Sequence, residues 1–169
     1  NAYPLLDQHA LMQNLMFPGT AKPQRRFRLS EDDYRFIYRY MSMHPGESNI
    51  ESYQDIDKYP DGYVKFLMYG GAEKNIPSHI RVFNKVGDAY GFLTDSAYIV
   101  DFDNKVEFLL SATIYTNENQ TFNDNKYEYD EIGLPFLKNL GLAIYEVELN
   151  RERQIVPDLS RFQFPERDN

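Results

Sequence analysis

The sequence predicts an α+β fold built on one antiparallel sheet, and two observations support that prediction. Apolar residues recur at helical spacing up to about residue 76, and from there to residue 117 they alternate with polar residues. A second helical pattern occupies 128–148. We therefore expect an all-helical N-terminal half, a sheet of three strands, and a long C-terminal helix packed on the sheet.

The first two helices are predicted from caps and apolar spacing. Residues 5–17 form the first, with Asp7 as N-cap and two apolar pairs four residues apart, Leu11/Leu15 and Met12/Met16. The second begins at the N-cap Ser30, whose acidic first turn suits the helix dipole, and ends before Pro45-Gly46. Its predicted buried stripe consists of Tyr34, Ile37, Tyr38 and Met41. Residues 46–60 are polar and irregular.

A third short helix is predicted at 61–71, capped by Asp61 and closed by Gly70-Gly71. Three strands follow, at 79–86, 89–102 and 105–117, and the turn "DFDN" joins the last two as a hairpin. In the third strand one face is wholly apolar: Val106, Phe108, Leu110, Ala112 and Ile114. Leu109 and Tyr115 suggest that the other face is partly covered as well.

The C-terminal third is predicted as a loop, a helix and a tail. Residues 116–131 read as a polar loop that lacks the glycine and ligand spacing of an EF-hand. The helix at 128–148 should cover the hairpin, and the tail from 151 onward should lie irregularly on the surface. The predicted buried face of the helix is Ile132, Phe136, Leu140, Ala143, Ile144 and Val147.

Composition limits the class of protein. A chain of 169 residues with 42% hydrophobic and 26% charged residues predicts a single globular domain over 1–169. The net charge of −8 argues against nucleic acid as a partner, and "RRFR" (25–28) is a short basic cluster of the kind found on solvated loops. With no cysteine, thiolate nucleophiles and cysteine zinc sites are excluded. No apolar run approaches the ~18 residues of a membrane span.

Motif searches leave one feature of interest. His9, His44 and His79 are far apart and lack metal-site spacing, so no metal site is predicted. No GxSxG, Walker or dinucleotide motif occurs. The remaining feature is "KVG", Lys85-Val86-Gly87, at the predicted end of the first strand. Taken alone, these residues also fit a surface lysine beside a turn glycine.

In its element order, the chain resembles the C-terminal part of the penicillin-recognising serine hydrolases, the class A β-lactamases and D-alanyl-D-alanine peptidases. Helices precede a strand with Lys-X-Gly, a hairpin and a covering helix, and the resemblance spans about 30–148. The stretch "NKVGDAYGFLTDSAYIVDF" is similar to a bacterial subgroup of β-lactamase-related serine hydrolases. The resemblance implies a partial β-lactamase-like fold, no cofactor, and a periplasmic or other extracytoplasmic location in bacteria.

The resemblance also implies roles for four residues. Lys85 would be the catalytic cation, binding a substrate carboxylate and stabilising charge near the nucleophile. Val86, Gly87 and Asp88 would contact substrate: Gly87 leaves room for an added strand, and the Asp88 amide would serve an oxyanion hole. Val86 replaces the family's threonine, which removes a hydroxyl that binds the carboxylate.

The motifs that would make the chain a complete enzyme are missing. Ser-x-x-Lys and Ser-Asp-Asn do not occur, and in the family both lie upstream of the matched region. The chain begins "NAYPLLDQ", without Met or a signal peptide, so we expect a trimmed C-terminal part of a longer chain. Such a part should expose a strand edge and form a homo-oligomer or bind its own N-terminal part.

Three hypotheses therefore stand. The first is the C-terminal portion of a serine hydrolase that acts on an acyl bond of a peptidoglycan-type peptide, a β-lactam or an ester. The second is a non-catalytic module that binds a peptide or glycan on the same scaffold, which Val86 favours. The third is an unrelated α+β domain with an accidental resemblance.

Overall fold

A computed structural model describes residues 3–164 of the chain. Its helices are α1 (Leu5–Met16), α2 (Glu31–Ser42) and α3 (Leu134–Asn150), and its strands are β1 (Ile80–Ala89), β2 (Phe92–Asp101) and β3 (Val106–Tyr115). A single wide helical turn, Tyr129–Gly133, leads directly into α3. The predicted α+β class and the covering C-terminal helix are confirmed.

The sheet is a three-stranded antiparallel meander in the order β1-β2-β3. Tyr90 and Gly91 form the first turn, and Asp101 holds the second by accepting hydrogen bonds from the backbone of Asp103 and Asn104. The predicted hairpin is confirmed. The tripeptide at 85–87 was predicted at a strand end, but β1 continues to Ala89, so these residues lie within the strand.

The first core lies between the sheet and α3. It contains the apolar face of the strands together with Leu137 of α3 and the segment 66–69. Ala112 is buried in this core, Phe108, Leu110 and Ile114 pack at its margin, and Val106 on the same strand is also buried. The alternation predicted for β3 is therefore confirmed.

The second core covers the opposite face of the sheet with α1, α2 and the C-terminal tail. Tyr38, Phe83, Tyr98 and Phe162 form an aromatic cluster whose ring centroids lie 4.8–6.3 Å apart. The partial cover predicted for this face is confirmed. The tail was predicted to lie on the surface, and this is wrong for Leu159 and Phe162, which are buried in the second core. Residues 165–169 of the tail lie outside the described residues.

The helix starts agree with the sequence only in part. Ser30 caps α2 as predicted, and its hydroxyl and backbone N–H form a capping box with Asp33. The predicted cap of α1 is wrong, because Pro4 holds that position and Asp7 lies in the first turn. The N-terminal half is also less helical than predicted, since 43–79 contains only short 3-10 turns.

The third predicted helix, 61–71, is absent. The segment is a series of turns in which Val64 and Met68 have positive φ angles of 54° and 71°. Its backbone N–H groups at Phe66 and Leu67 donate to the carboxylate of Asp95 on β2 instead of to a helical carbonyl. A buried side chain of the sheet therefore replaces the hydrogen bonds that a helix would have supplied.

The predicted buried face of α3 is wrong in part: Leu140 packs against the first core and Ile144 is half-buried, but the other four predicted residues are exposed. Ile132, Phe136 and Val147 are exposed, and the helix also contacts the first core through Leu134, Leu137 and Gly141. A Cβ at Gly141 would lie 2.3 Å from the backbone nitrogen of Met68, so a glycine is needed for this close approach.

None of the helices within residues 3–164 combines the length and the apolar character that crossing a membrane requires.

Candidate functional site

The candidate site begins at the outer edge of β1, which pairs with β2 and with no other strand of the described residues 3–164. In a strand, the N–H and C=O groups of successive residues point to opposite sides. The carbonyls of Val82 and Val86 accept hydrogen bonds from Lys65 and Lys85, at 2.9 and 2.5 Å, rather than from a neighbouring strand. The even-numbered residues of β1 therefore direct their backbone polar groups away from β2.

Only part of this edge is open. The side chain of Lys65 covers it at Val82, and Asn84 bonds to the carbonyl of Val64 at 2.8 Å, which brings the 61–67 segment alongside the strand. From Lys85 to Ala89 the strand is exposed or half-buried. The open edge therefore extends over 85–89, which includes all four predicted site residues.

An open depression of about 780 Å³ lies over the α1-facing side of the sheet and extends to this edge. Leu5, Gln8, Leu11 and Met12 of α1 form one wall, residues 85–89 form the other, and Thr94 and Thr113 lie between them. The volume lies within the range of ~300–1,000 Å³ that small-molecule and peptide sites occupy.

Lys85 lines the depression and keeps its charge available. Its ammonium bonds to the Val86 carbonyl at 2.5 Å, and within residues 3–164 no carboxylate forms an ion pair with it. An unpaired ammonium beside a concave surface can bind an anionic group such as a carboxylate.

Gly87 is not required by the fold. A Cβ at this position would meet no atom within 4 Å, and its φ is not in the left-handed region. A glycine inside a strand is otherwise unfavourable, because it weakens the strand and contributes no side chain to packing. The bare backbone at Gly87 therefore fits close approach by a ligand better than it fits any need of the chain itself.

The other two predicted site residues, Val86 and Asp88, expose different groups at the edge of β1. The Val86 side chain points to the opposite face and packs on the first core, so only its backbone borders the depression. Asp88 is exposed, and its position in β1 directs its backbone N–H outward like that of Val86. The edge thus offers the amide of Asp88 as the resemblance requires.

A buried polar network next to this edge was missed by the sequence analysis. The ammonium of Lys65 donates to Asn84 Oδ1 at 2.8 Å, and Asn84 Nδ2 donates to Asp95 Oδ1 at 3.0 Å. Burial lowers the pKa of Lys65 to about 7 and raises the pKa of Asp95 to about 6. The only sequence signal was one lysine inside the apolar run "VKFLM".

Further charged side chains lie near the start of β1. Arg81 forms a bidentate ion pair with Glu47, and His44 Nδ1 lies 3.8 Å from a carboxylate oxygen of Asp61. Burial, followed by the nearby Arg81 charge, lowers the pKa of His44. No group of three potential metal ligands occurs in the described part of the chain.

A serine–histidine contact lies on the α1 side of the sheet. His9 Nδ1 is 2.9 Å from Ser111 Oγ, which accepts from the buried Ser96 at 2.8 Å. Over residues 3–164 no carboxylate bonds to the second ring nitrogen of His9, so the orienting third member of a triad is missing. The contact links α1 to two strands, and spatially separate positions such as 9 and 111 give no local sequence signal.

Comparison of the chain with protein-family models, with curated proteins and with solved structures found no match.

Proposed function

We propose that the open edge of β1 binds an extended, carboxylate-bearing chain as an additional strand. The observation that carries this proposal is Gly87: the fold does not need a glycine there, yet the position lies on a free edge beside Lys85. Strand addition would supply main-chain hydrogen bonds, and the lysine would bind the carboxylate. About five residues of β1 are available, which suits a short peptide.

The enzyme form of this proposal is the C-terminal portion of a β-lactamase-related serine hydrolase. A serine of an upstream segment would attack the acyl carbon of a peptidoglycan-type peptide, a β-lactam or an ester. The oxyanion of the tetrahedral intermediate would accept a hydrogen bond from the Asp88 amide, and Lys85 would stabilise the developing charge. If the chain is part of such a hydrolase, we also propose that it is located outside the cytoplasm of a bacterium.

A labelled penicillin and a fluorophosphonate probe test the enzyme form. Applied to a folded polypeptide that includes the proposed upstream segment, they should give a covalent adduct at a serine of that segment. Absence of any adduct on that folded polypeptide would remove the hydrolase. An adduct at Ser111 would instead show that the nucleophile lies in this chain.

The second candidate is a non-catalytic peptide-binding module, and Val86 favours it. The Val86 side chain packs against the first core, and as a valine it has no hydroxyl that could bind a substrate. Saturable peptide binding without any covalent adduct on the natural polypeptide would support the module over the enzyme. The absence of Ser-x-x-Lys from the gene upstream of Asn1 would point the same way.

Self-association, or association with an upstream segment, remains part of this proposal. Both outer strands of the sheet have an unpaired edge within residues 3–164, and such edges favour pairing with another chain. Light scattering during size-exclusion chromatography should give at least twice the mass of 19.9 kDa. A soluble monomer at that mass would contradict the oligomer.

A further inference from the structure

A second depression, of about 440 Å³, lies at the hairpin end of β1 and β2. This open depression is bordered by the β1–β2 turn and by the polar loop that follows β3. Aromatic and short polar side chains form most of its lining: Asp88, Ala89, Tyr90, Asn123, Asn125, Tyr127 and Tyr129. No function in the proposal above uses its aromatic residues.

Two of its tyrosines are rigidly held. The Tyr127 hydroxyl accepts a hydrogen bond from the backbone N–H of Asn123 at 2.7 Å, and the Tyr129 hydroxyl accepts one from Gly91 at 2.8 Å. Their ring centroids are 5.3 Å apart with the ring planes at 34°. The aromatic surface is therefore formed before any ligand arrives, which reduces the entropic cost of binding.

Tyr90 occupies an unfavourable backbone position. It has φ of 54° in the two-residue β1–β2 turn, where asparagine or aspartate before glycine is the preferred pair. A bulky residue with positive φ is rare and costs about 1–3 kcal/mol. Tyr90 is nevertheless 53% exposed, and its ring packs edge-on against Phe122, which is itself 60% exposed, so the fold gains little from burying it.

The polar side chains of the loop fall into two groups. Asn117, Asn119 and Asp124 hold the loop together through their own hydrogen bonds. Asn123 and Asn125 line the depression, and their carboxamides have no hydrogen-bond partner among residues 3–164. The carboxylate of Asp88 is likewise without one. The side chains of Asn123, Asn125 and Asp88 line the depression and are therefore free to hydrogen-bond to a ligand.

We propose that this depression binds an uncharged saccharide. The faces of tyrosine rings pack well against the C–H faces of a pyranose, and carboxamide and carboxylate groups bond to neighbouring hydroxyls. An anionic ligand fits poorly, since among residues 3–164 no cation lines the depression and the carboxylate side chain of Asp88 does. A cation fits less well than a sugar, because Tyr127 and Tyr129 contact each other instead of surrounding a central point.

This inference does not rest on peptide binding at β1, although the two depressions share Asp88 and Ala89. A ligand in which a peptide is joined to a sugar could therefore occupy both. The penicillin and fluorophosphonate probes do not involve Tyr90, so failure of one proposal leaves the other testable.

The test is a titration of the full chain with N-acetylglucosamine trimer and with cellotriose, followed by NMR and calorimetry. At least one sugar should bind and shift the amide signals of residues around 88–91 and 123–129. Tyr90→Asn should weaken that binding about tenfold while keeping or raising stability, because asparagine suits the positive φ. The control Tyr40→Ala removes a ring with 54% exposure on α2 and should leave binding unchanged.

Asp88→Asn distinguishes a sugar from a cation. A carboxamide still bonds to hydroxyls, so sugar affinity should change only a few-fold, whereas binding of tetramethylammonium would be lost. The inference is overturned if neither sugar binds, if Tyr90→Asn binds as tightly as the natural chain, or if tetramethylammonium binds and the sugars do not.

Discussion

The buried ammonium of Lys65 and the buried carboxylate of Asp95 are joined through one amide, that of Asn84. Lys65 donates to three oxygens: Asn84 Oδ1 and the carbonyls of Met41 and Val82, at 2.7–2.9 Å. Asp95 accepts from Asn84 and from the backbone of Phe66 and Leu67. The network thus ties the 64–67 segment to β1 and β2, and it fixes the boundary of the open β1 edge.

Replacing the bridging amide should destabilise the protein strongly. Asn84→Leu keeps the approximate volume but leaves both the ammonium and the carboxylate without their shared partner. We expect a loss of about 3–5 kcal/mol in the free energy of unfolding, measured with urea. The control Lys74→Met removes an exposed ion pair with Asp57 and should have no measurable effect. Equal stabilities for the two variants would contradict a structural role for the network.

The same network predicts a stability minimum near pH 6–7. Burial raises the pKa of Asp95 from 3.8 to about 6, so its contribution is complete below pH 3.8 and is lost as pH rises through 6. Burial lowers the pKa of Lys65 from 10.5 to about 7, so its contribution is complete above pH 10.5 and is lost as pH falls through 7. Between these values both charges are buried.

Urea unfolding from pH 4 to pH 10 measures this profile. Asp95→Asn should remove the acidic limb and Lys65→Met the alkaline limb, each leaving the other limb in place. Charges facing Lys65 from neighbouring elements act in opposite senses, since Arg81 lowers its pKa and Glu47 raises it. A profile that both variants leave unchanged would exclude this pair as its cause.

Two glycines should respond oppositely to the same substitution. Gly141→Ala places a Cβ 2.3 Å from the Met68 nitrogen, so α3 must move and stability should fall by about 1–3 kcal/mol or more. Gly87→Ala meets nothing within 4 Å and should leave stability unchanged or slightly higher. Thermal unfolding of both variants checks the comparison, and a strong loss at position 87 would mean that the fold itself requires that glycine.

Larger side chains at position 87 should interfere with ligand binding alone. Gly87→Val fills the space above the open edge, so an acyl-D-alanyl-D-alanine peptide that binds the natural chain should no longer bind. The fold should be retained, which the amide spectrum of the free protein shows. Unchanged peptide affinity in a folded Gly87→Val variant would exclude strand addition at this edge.

Lys85 should contribute through its charge. Lys85→Met keeps most of the aliphatic side chain but removes the ammonium. Affinity for a peptide with a free C-terminal carboxylate should therefore fall about ten- to a hundredfold, as expected from ~1.5–3 kcal/mol for a charged hydrogen bond. The amidated peptide should bind both proteins equally. Lys22→Met, at an exposed position between α1 and α2, serves as the control. A similar loss with the amidated peptide would indicate that the side chain acts by packing.

The sequence by itself determined the elements whose signals are local. The cap at Ser30 depends on residues three positions apart, and the alternation in β3 directly records which side chains face the first core. The class of the fold and the β2–β3 hairpin followed from such patterns, whereas Gly87 was predicted at a strand end and lies within β1. In each case the physical cause lies within one element or its immediate neighbour.

Only the tertiary structure decided the features that depend on distant contacts. Apolar residues lie on several sides of α3, so their period could not show that Gly141 and Leu137, rather than Phe136, meet the core. The 61–71 segment has helical spacing, but Asp95 takes its backbone N–H groups because a buried carboxylate must be hydrogen-bonded. Such a requirement links positions that are 28–29 residues apart, and no local pattern records it.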